Sequence, residues 1–211
     1  LTRTPCRITP GATFRRNGWN GVGDPFQDSP LLSALSSISD LLEDPDVRGV
    51  LIGGVAASLV GRPRFTNDID LLVLDLDDRI PPFIEKLKRH GIEPRISDAE
   101  AFARRSRVLL ARHAASGINV DISMGILPFE NEAIQRRITA SVAGIELCVP
   151  TPEDLIILKS IAQRPTDLQD IQAIVSRHPN LDKQRILSAV REFADLLGRH
   201  ELYTTIQQIL Q

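Results

Sequence analysis

Aromatic residues are scarce in this chain: seven Phe, one Trp and one Tyr, 4% of 211 residues, so any core it builds is made chiefly of Leu, Ile, Val and Ala. Cysteine is as thin. Cys6 and Cys148 lie far apart, which argues against a disulfide framework, offers no metal-ligand spacing and fits a reducing cytoplasm. Lysine occurs only at Lys86, Lys88, Lys159 and Lys183, and arginine carries the rest of the positive charge, a bias that reads as genome composition. Neither sign dominates: the net charge is −2, which argues against a general nucleic-acid coat but leaves room for a local basic groove. No apolar run approaches a membrane span and no signal-peptide pattern opens the chain. The expectation is a cytoplasmic protein with no membrane partner. His90, His113, His178 and His200 are scattered, with no HxxxH or Cys/His cluster, so a zinc site is not expected. The P-loop and Gly-x-Ser-x-Gly signatures are absent as well.

What remains is an ordinary globular composition, 42% hydrophobic and 25% charged, on a chain long enough for one domain with an extension or two small ones. Residues 1–30 are broken by Pro5, Pro10, Gly11, Gly18, Gly21, Gly23, Pro25 and Pro30 and read as a loosely ordered arm, with Trp19 and Phe26 as anchors to the body or to a second subunit. Helical spacing marks 31–42, strand character 47–53, a short helix 55–60 and a second strand 69–74. A helix follows at 81–90, ended by Gly91. Then come a short strand at 95–96, a small helix or loop at 97–103, and a hairpin of strands 107–113 and 118–124. A helix at 129–135 precedes a second hairpin, 138–142 with 145–149, around Ala143-Gly144. After Pro150 the pattern is helical at 153–162, 168–175, 183–197 and 202–210. The organisation is an arm (1–30), an α/β core (31–150) and a C-terminal helical subdomain (151–211).

The stretch 51–74 carries the chemistry. Gly53-Gly54 ends one strand and opens a helix, where glycine lets backbone approach a phosphate and the helix N-terminus supplies N–H donors. A tight turn with no ligand is the plainer alternative. Asp68 and Asp70 alternate along the next strand, so both carboxylates leave the same face. Two crowded acids are tolerable when a divalent cation neutralises them, and Mg2+ prefers oxygen ligands with substrate phosphates alongside. Solvated surface acids are the alternative. Asp121 sits inside an apolar strand, where an unpaired charge is costly. It is either the third acid of a two-metal site, helping to deprotonate an attacking hydroxyl, or half of a structural ion pair with an arginine. Arg62, Arg64 and Thr66 lie on the approach to the acids and suit phosphate oxygens, or are plain surface residues. Lys159 stands on a helix apolar nearly all round; it either snorkels out or faces a cleft holding an anion.

Gly53-Gly54, Asp68-Ile69-Asp70 and Val120-Asp121-Ile122 together resemble the nucleotidyltransferase superfamily pattern. Arg64-Phe65-Thr66-Asn67-Asp68-Ile69-Asp70, then Pro152-Glu153-Asp154-Leu155, Lys159, Arg164 and Thr166 to Ile171, resemble the AbiEii-type nucleotidyltransferases, toxin halves of bacterial toxin–antitoxin pairs. The likeness covers roughly residues 48–175. It implies an α+β fold, with a mixed sheet of the polymerase-β type flanked by helices and followed by a helical bundle. It also implies Mg2+-dependent transfer of a nucleoside monophosphate, with Lys159 near the triphosphate and Asp167 serving the acceptor. The connector Pro165-Thr166 is shorter than that family's basic linker, and residues 1–30 match nothing in it.

The resulting expectation is an NTP-using enzyme with two Mg2+ ions at Asp68, Asp70 and Asp121, phosphates at Gly53, Gly54, Arg64, Thr66 and Lys159, and an RNA (such as tRNA) or protein acceptor. A toxin role with an antitoxin partner goes with it. The rival readings are a non-catalytic nucleotide- or partner-binding module of the same fold, and a small-molecule nucleotidyltransferase of the antibiotic-modifying kind.

Overall fold

A computed structural model describes residues 29–211; most of the expected N-terminal arm, with Trp19 and Phe26, lies outside the described residues. Helix α1 (Pro30–Glu43) begins on a proline, whose fixed φ suits a first turn, and buries Ala34, Leu35, Ile38, Leu41 and Leu42 along one stripe. It stops at Asp44, which is extended (φ −61°, ψ 122°) because the ring of the following Pro45 disfavours a helical residue before it.

Five strands form a mixed sheet in the order β1-β2-β5-β4-β3: β1 (Gly49–Ile52), β2 (Asp68–Leu74), β3 (Ile92–Pro94), β4 (Val108–His113) and β5 (Asn119–Gly125). β2 and β5 run parallel and the other pairs antiparallel. Helices α2 (Gly53–Val60), α3 (Ile80–Arg89), α4 (Ala99–Ser106) and α5 (Pro128–Gln135) flank the strands, and a separate hairpin, β6 (Ile138–Val142) with β7 (Ile145–Val149), follows. Four helices close the chain: α6 (Pro152–Ala162), α7 (Pro165–Arg177), α8 (Lys183–Leu197) and α9 (Glu201–Ile209). The α+β fold with its mixed sheet and trailing helices stands as expected. Among the described residues no helix is long and apolar enough to cross a membrane.

Side-chain alternation gives the sheet two unlike faces. Leu51, Ile69, Leu71, Val73, Ile92, Leu109, Ala111, Val120 and Ile122 enter the main core. The opposite face has a small apolar end, Val50, Leu72, Leu74 and Ile134. Its other end carries Asp68, Asp70, Asn119 and Asp121.

Several boundaries move from the expected ones. The edge strand is Ile92–Pro94 rather than 95–96, because Gly91, in the left-handed region at φ 70°, turns the chain from α3 straight into it. Helix α4 runs to Ser106 and is capped by Arg107 at φ 57°, which delays β4 by one residue. Helix α7 starts at Pro165 and not 168: Asp167 closes its first turn on Arg164 N–H at 3.2 Å. Pro165 and Thr166 therefore belong to the helix, and the connector is Gln163 and Arg164.

Candidate active site

The acids gather by strand register. Asp70 is directly opposite Asp121, Asp68 opposite Asn119, and Ile52 opposite Asp70 on the other side. In-register residues on neighbouring strands project to the same face, so all three carboxylates stand on one surface. Asp70 is the crowded member. Burial, and next the charge of Asp121, push its carboxyl above the usual range; Asp68 adds to this, against a hydrogen bond from Gly54 N–H and the charge of Lys159.

The glycine pair is shaped around Asp70. Gly53 has φ +66°, and a Cβ there would lie 1.8 Å from Asp70 Oδ2. A Cβ on Gly54 would come within 2.9 Å of both Arg64 Nη2 and Thr66 Oγ1. The turn thus draws together Asp70, Arg64 and Thr66, and Gly54 N–H is already given to Asp70. Thr66 Oγ1 also donates to the Asp68 carbonyl at 3.3 Å, fixing the entry into β2.

The other two acids have neighbours of their own. Asn119 Nδ2 donates to Asp68 Oδ1 at 3.3 Å. Arg95 Nη2 stands 2.9 Å from Asp121 Oδ1, close enough for an ion pair but off hydrogen-bond alignment, so this buried oxygen makes no hydrogen bond. The arginine pairing foreseen as one alternative for Asp121 is therefore present. Three hard carboxylates on one face fit Mg2+ by donor chemistry. As they lie, however, no three acidic, His or Cys side chains among the described residues are close enough together to hold a metal ion.

Beside Asp70 lies a network of five ionic groups. Lys159, 5% exposed, reaches Asp167 Oδ1 at 3.1 Å and Asp170 Oδ2 at 2.8 Å. Arg64 forks onto Asp170 at 2.8 and 3.0 Å. Arg164 Nε donates to Asp167 Oδ2 at 2.7 Å. Burial pushes both acids up, but the bonds from Arg164 and Lys159 hold Asp167 below its ordinary value, and those from Arg64 and Lys159 do the same for Asp170. Three cations against two acids leave one positive charge next to Asp70. Lys159 faces this network rather than an open cleft. The guanidinium most open to solvent is Arg164, with its side chain 72% exposed against 35% for Arg64.

No local pattern pointed to Arg95, which reaches its partner across an intervening strand. Asp170 was legible as Asp167's neighbour at i+3 on one helix face, but not as the partner of Arg64. Asp154 of the Pro-Glu-Asp-Leu segment turns out to be structural. It is wholly buried, accepts from Arg136 at 3.1 Å and from Arg185 at 2.8 Å, and so ties α6 to α8 and to the end of α5.

Residues 29–201 match the family described as nucleotidyltransferase of unknown function (DUF6036). The chain belongs to this nucleotidyltransferase family. Among solved structures, it is similar to an antigenic nucleotidyltransferase-like protein from Paracoccidioides brasiliensis (18% identity, 85% of this chain and 93% of that one, TM-score 0.51). It is also similar to the antibiotic-resistance factor ANT(2'')-Ia (15% identity, 81% and 95%, TM-score 0.55). At such identities the likeness speaks for the nucleotidyltransferase fold alone. No protein of curated function matches the sequence. Asp68, Asp70 and Asp121, the acids of the nucleotidyltransferase-like pattern, are the ones that the sheet register brings to one face.

Proposed function

We propose that the protein transfers a nucleoside monophosphate from an NTP to an acceptor hydroxyl, the hydroxyl oxygen bonding to the α-phosphorus as pyrophosphate leaves, with Asp68, Asp70 and Asp121 as the ligands of Mg2+. The observation that carries this is the pairing of Asp70 with Asp121 on parallel strands, with the Asp70 carboxyl pushed up by burial and by its two acidic neighbours. Three acids, met by Arg95 and by the one surplus positive charge of the neighbouring network, leave the site net negative, which favours a bound cation. Mg2+ held by these carboxylates would supply charge neutralisation to the transfer. Asp121 accepts the proton of the attacking hydroxyl. Arg164 and Arg64, held at the rim by Asp167 and Asp170, meet the triphosphate with the guanidinium N–H groups that those acids leave free. Lys159 adds its charge from beneath, through the two acids that it aligns. Asp167, with one oxygen engaged by Lys159 and the other by Arg164, acts by positioning Arg164 at the triphosphate rather than on the acceptor.

For the acceptor, the Arg64 to Asp70 motif favours the AbiEii-type reading: an RNA or protein hydroxyl, a toxin role and a cognate antitoxin. A small-molecule acceptor is the second reading, supported by the fold shared with ANT(2'')-Ia. The test is incubation of purified protein with labelled NTPs and Mg2+, in parallel with an RNA pool, a protein lysate and an aminoglycoside panel. Labelling of one pool, lost in Asp68→Ala and Asp70→Asn, is the expected result. Equal labelling by wild type and variants sinks the proposal. Mg2+-dependent NTP binding without product in any pool favours a binding module instead.

A further inference from the structure

Arg95 lies beside the acids, and the proposed chemistry does not use it. Its backbone is fixed, because its N–H donates to the Leu110 carbonyl at 3.1 Å, and Leu110 is itself the register partner of Asp121. The side chain, 21% exposed, then lies across β4 and brings Nη2 to 2.9 Å from Asp121 Oδ1. That oxygen is buried and makes no hydrogen bond. A buried carboxylate oxygen without a hydrogen bond is costly and calls for an explanation. Charge contact without bonding alignment makes Arg95 a neutralising partner, not a locking one. Asp121 also faces Asp70 on β2, on the side away from β4, so this one carboxylate stands between the Arg95 guanidinium and the place where a cation shared with Asp70 would draw on it.

We infer that Arg95 is the resident counter-ion of Asp121, competing with the divalent cation for that carboxylate and setting the cation affinity of the nucleotide-free site. A cation engaging Asp121 must share its charge with the guanidinium or draw the carboxylate off it, and the guanidinium stays near the site because its backbone is pinned to β4. An NTP brings phosphate oxygens that can receive the released guanidinium. Arg95 thereby couples cation loading to nucleotide arrival. This rests on the metal reading above.

The test is Mn2+ titration of nucleotide-free protein by calorimetry. Arg95→Gln removes a unit charge a few ångström from the carboxylate, and Mn2+ affinity should rise by about tenfold or more, since an interaction of that kind in a partly exposed site exceeds the energy of one decade. Arg95→Lys, which keeps the charge, should stay within about threefold of wild type on the same argument. On an Asp121→Asn background the Arg95→Gln effect should vanish, as a double-mutant cycle requires of a direct pair. In the wild type, Mg2+ titration should shift the Arg95 guanidinium resonance over the same concentration range, which tests the displacement even if a variant fails to fold. Unchanged or weaker Mn2+ binding in Arg95→Gln, persistence of its effect without Asp121, or an unmoved guanidinium resonance overturns the inference while leaving nucleotidyl transfer standing. No divalent binding by any variant, with or without NTP, overturns both.

Discussion

Gly53→Ala is the substitution whose cost the geometry states most directly. Two terms add. The residue sits at φ +66°, where an L-residue pays about 1 kcal/mol or somewhat more relative to glycine. The new methyl would also lie 1.8 Å from Asp70 Oδ2, 2.5 Å from its Cγ and 2.7 Å from its Cβ. Turning the carboxylate away relieves the first two contacts but not the third, because Asp70 Cβ is fixed to the backbone of β2. The strand or the turn must move, and overpacking of this kind costs about 1–3 kcal/mol. The sum is about 2–4 kcal/mol. In a chain of this size that is a fall in Tm of about 5–15 °C, at the usual 2–4 °C per kcal/mol.

Two other glycines separate the terms. Gly117 has φ +72° with nothing within 4 Å of its Cβ position, so Gly117→Ala should show the backbone cost alone, about 1 kcal/mol. Gly54 has no positive φ and meets only the ends of Arg64 and Thr66, so Gly54→Ala should cost less still, as flexible tips yield and alanine favours a helix by up to about 1 kcal/mol. Urea unfolding of the three variants, with equal m-values as the check on comparability, is the assay. Gly53→Ala within about 0.5 kcal/mol of Gly117→Ala would refute the close approach of the turn to Asp70.

Asp70→Asn should abolish transfer and at the same time stabilise the cation-free protein at neutral pH. The Asp70 carboxyl is raised in the folded state by burial and by Asp121, so its favourable contribution is complete below its unfolded value, near pH 4, and is lost as pH rises through the folded value. The variant's gain in Tm should therefore be present at pH 7 and gone below about pH 4; a variant less stable than wild type at pH 7 contradicts the repulsion. His113 predicts the opposite trend. It is buried, held by Ser37 Oγ at 3.2 Å and Ser116 Oγ at 2.8 Å, and burial lowers its pKa. The unfolded chain then takes up a proton before the folded one does, so stability should fall as pH drops below about 6.5. His113→Gln should flatten that part of the stability profile measured by denaturant titration.

Strand and helix period, the two turn glycines and the alternation of Asp68 with Asp70 are local properties. Each follows from residues within one element, which is why the β6–β7 hairpin, the β4–β5 hairpin and the glycine-to-acid stretch were legible along the chain. Boundaries slipped where a single left-handed residue decided them, as at Gly91 and Arg107, since neither composition nor period marks a positive φ at an arginine. The placing of Asp121 beside Asp70 needed the parallel register of β2 with β5, strands separated by two helices and two other strands. The sequence could nominate that pair but not set it.

The partners of the cations were decided by the tertiary structure alone. Lys159 on an apolar helix is equally compatible with an open cleft and with buried acids; packing of α6 against α7 put Asp167 and Asp170 on it. Arg64 and Arg95 are long, flexible side chains whose reach spans many candidate acids, and only the meeting of the 61–67 turn with α7, and of the β3 end with β5 across β4, selects one for each. The sequence by itself determined which residue types carry the chemistry and which faces of their elements they occupy. Which charges neutralise one another, and which remain to receive a cation or a phosphate, depends on distances between elements remote in the chain, and the fold decided that.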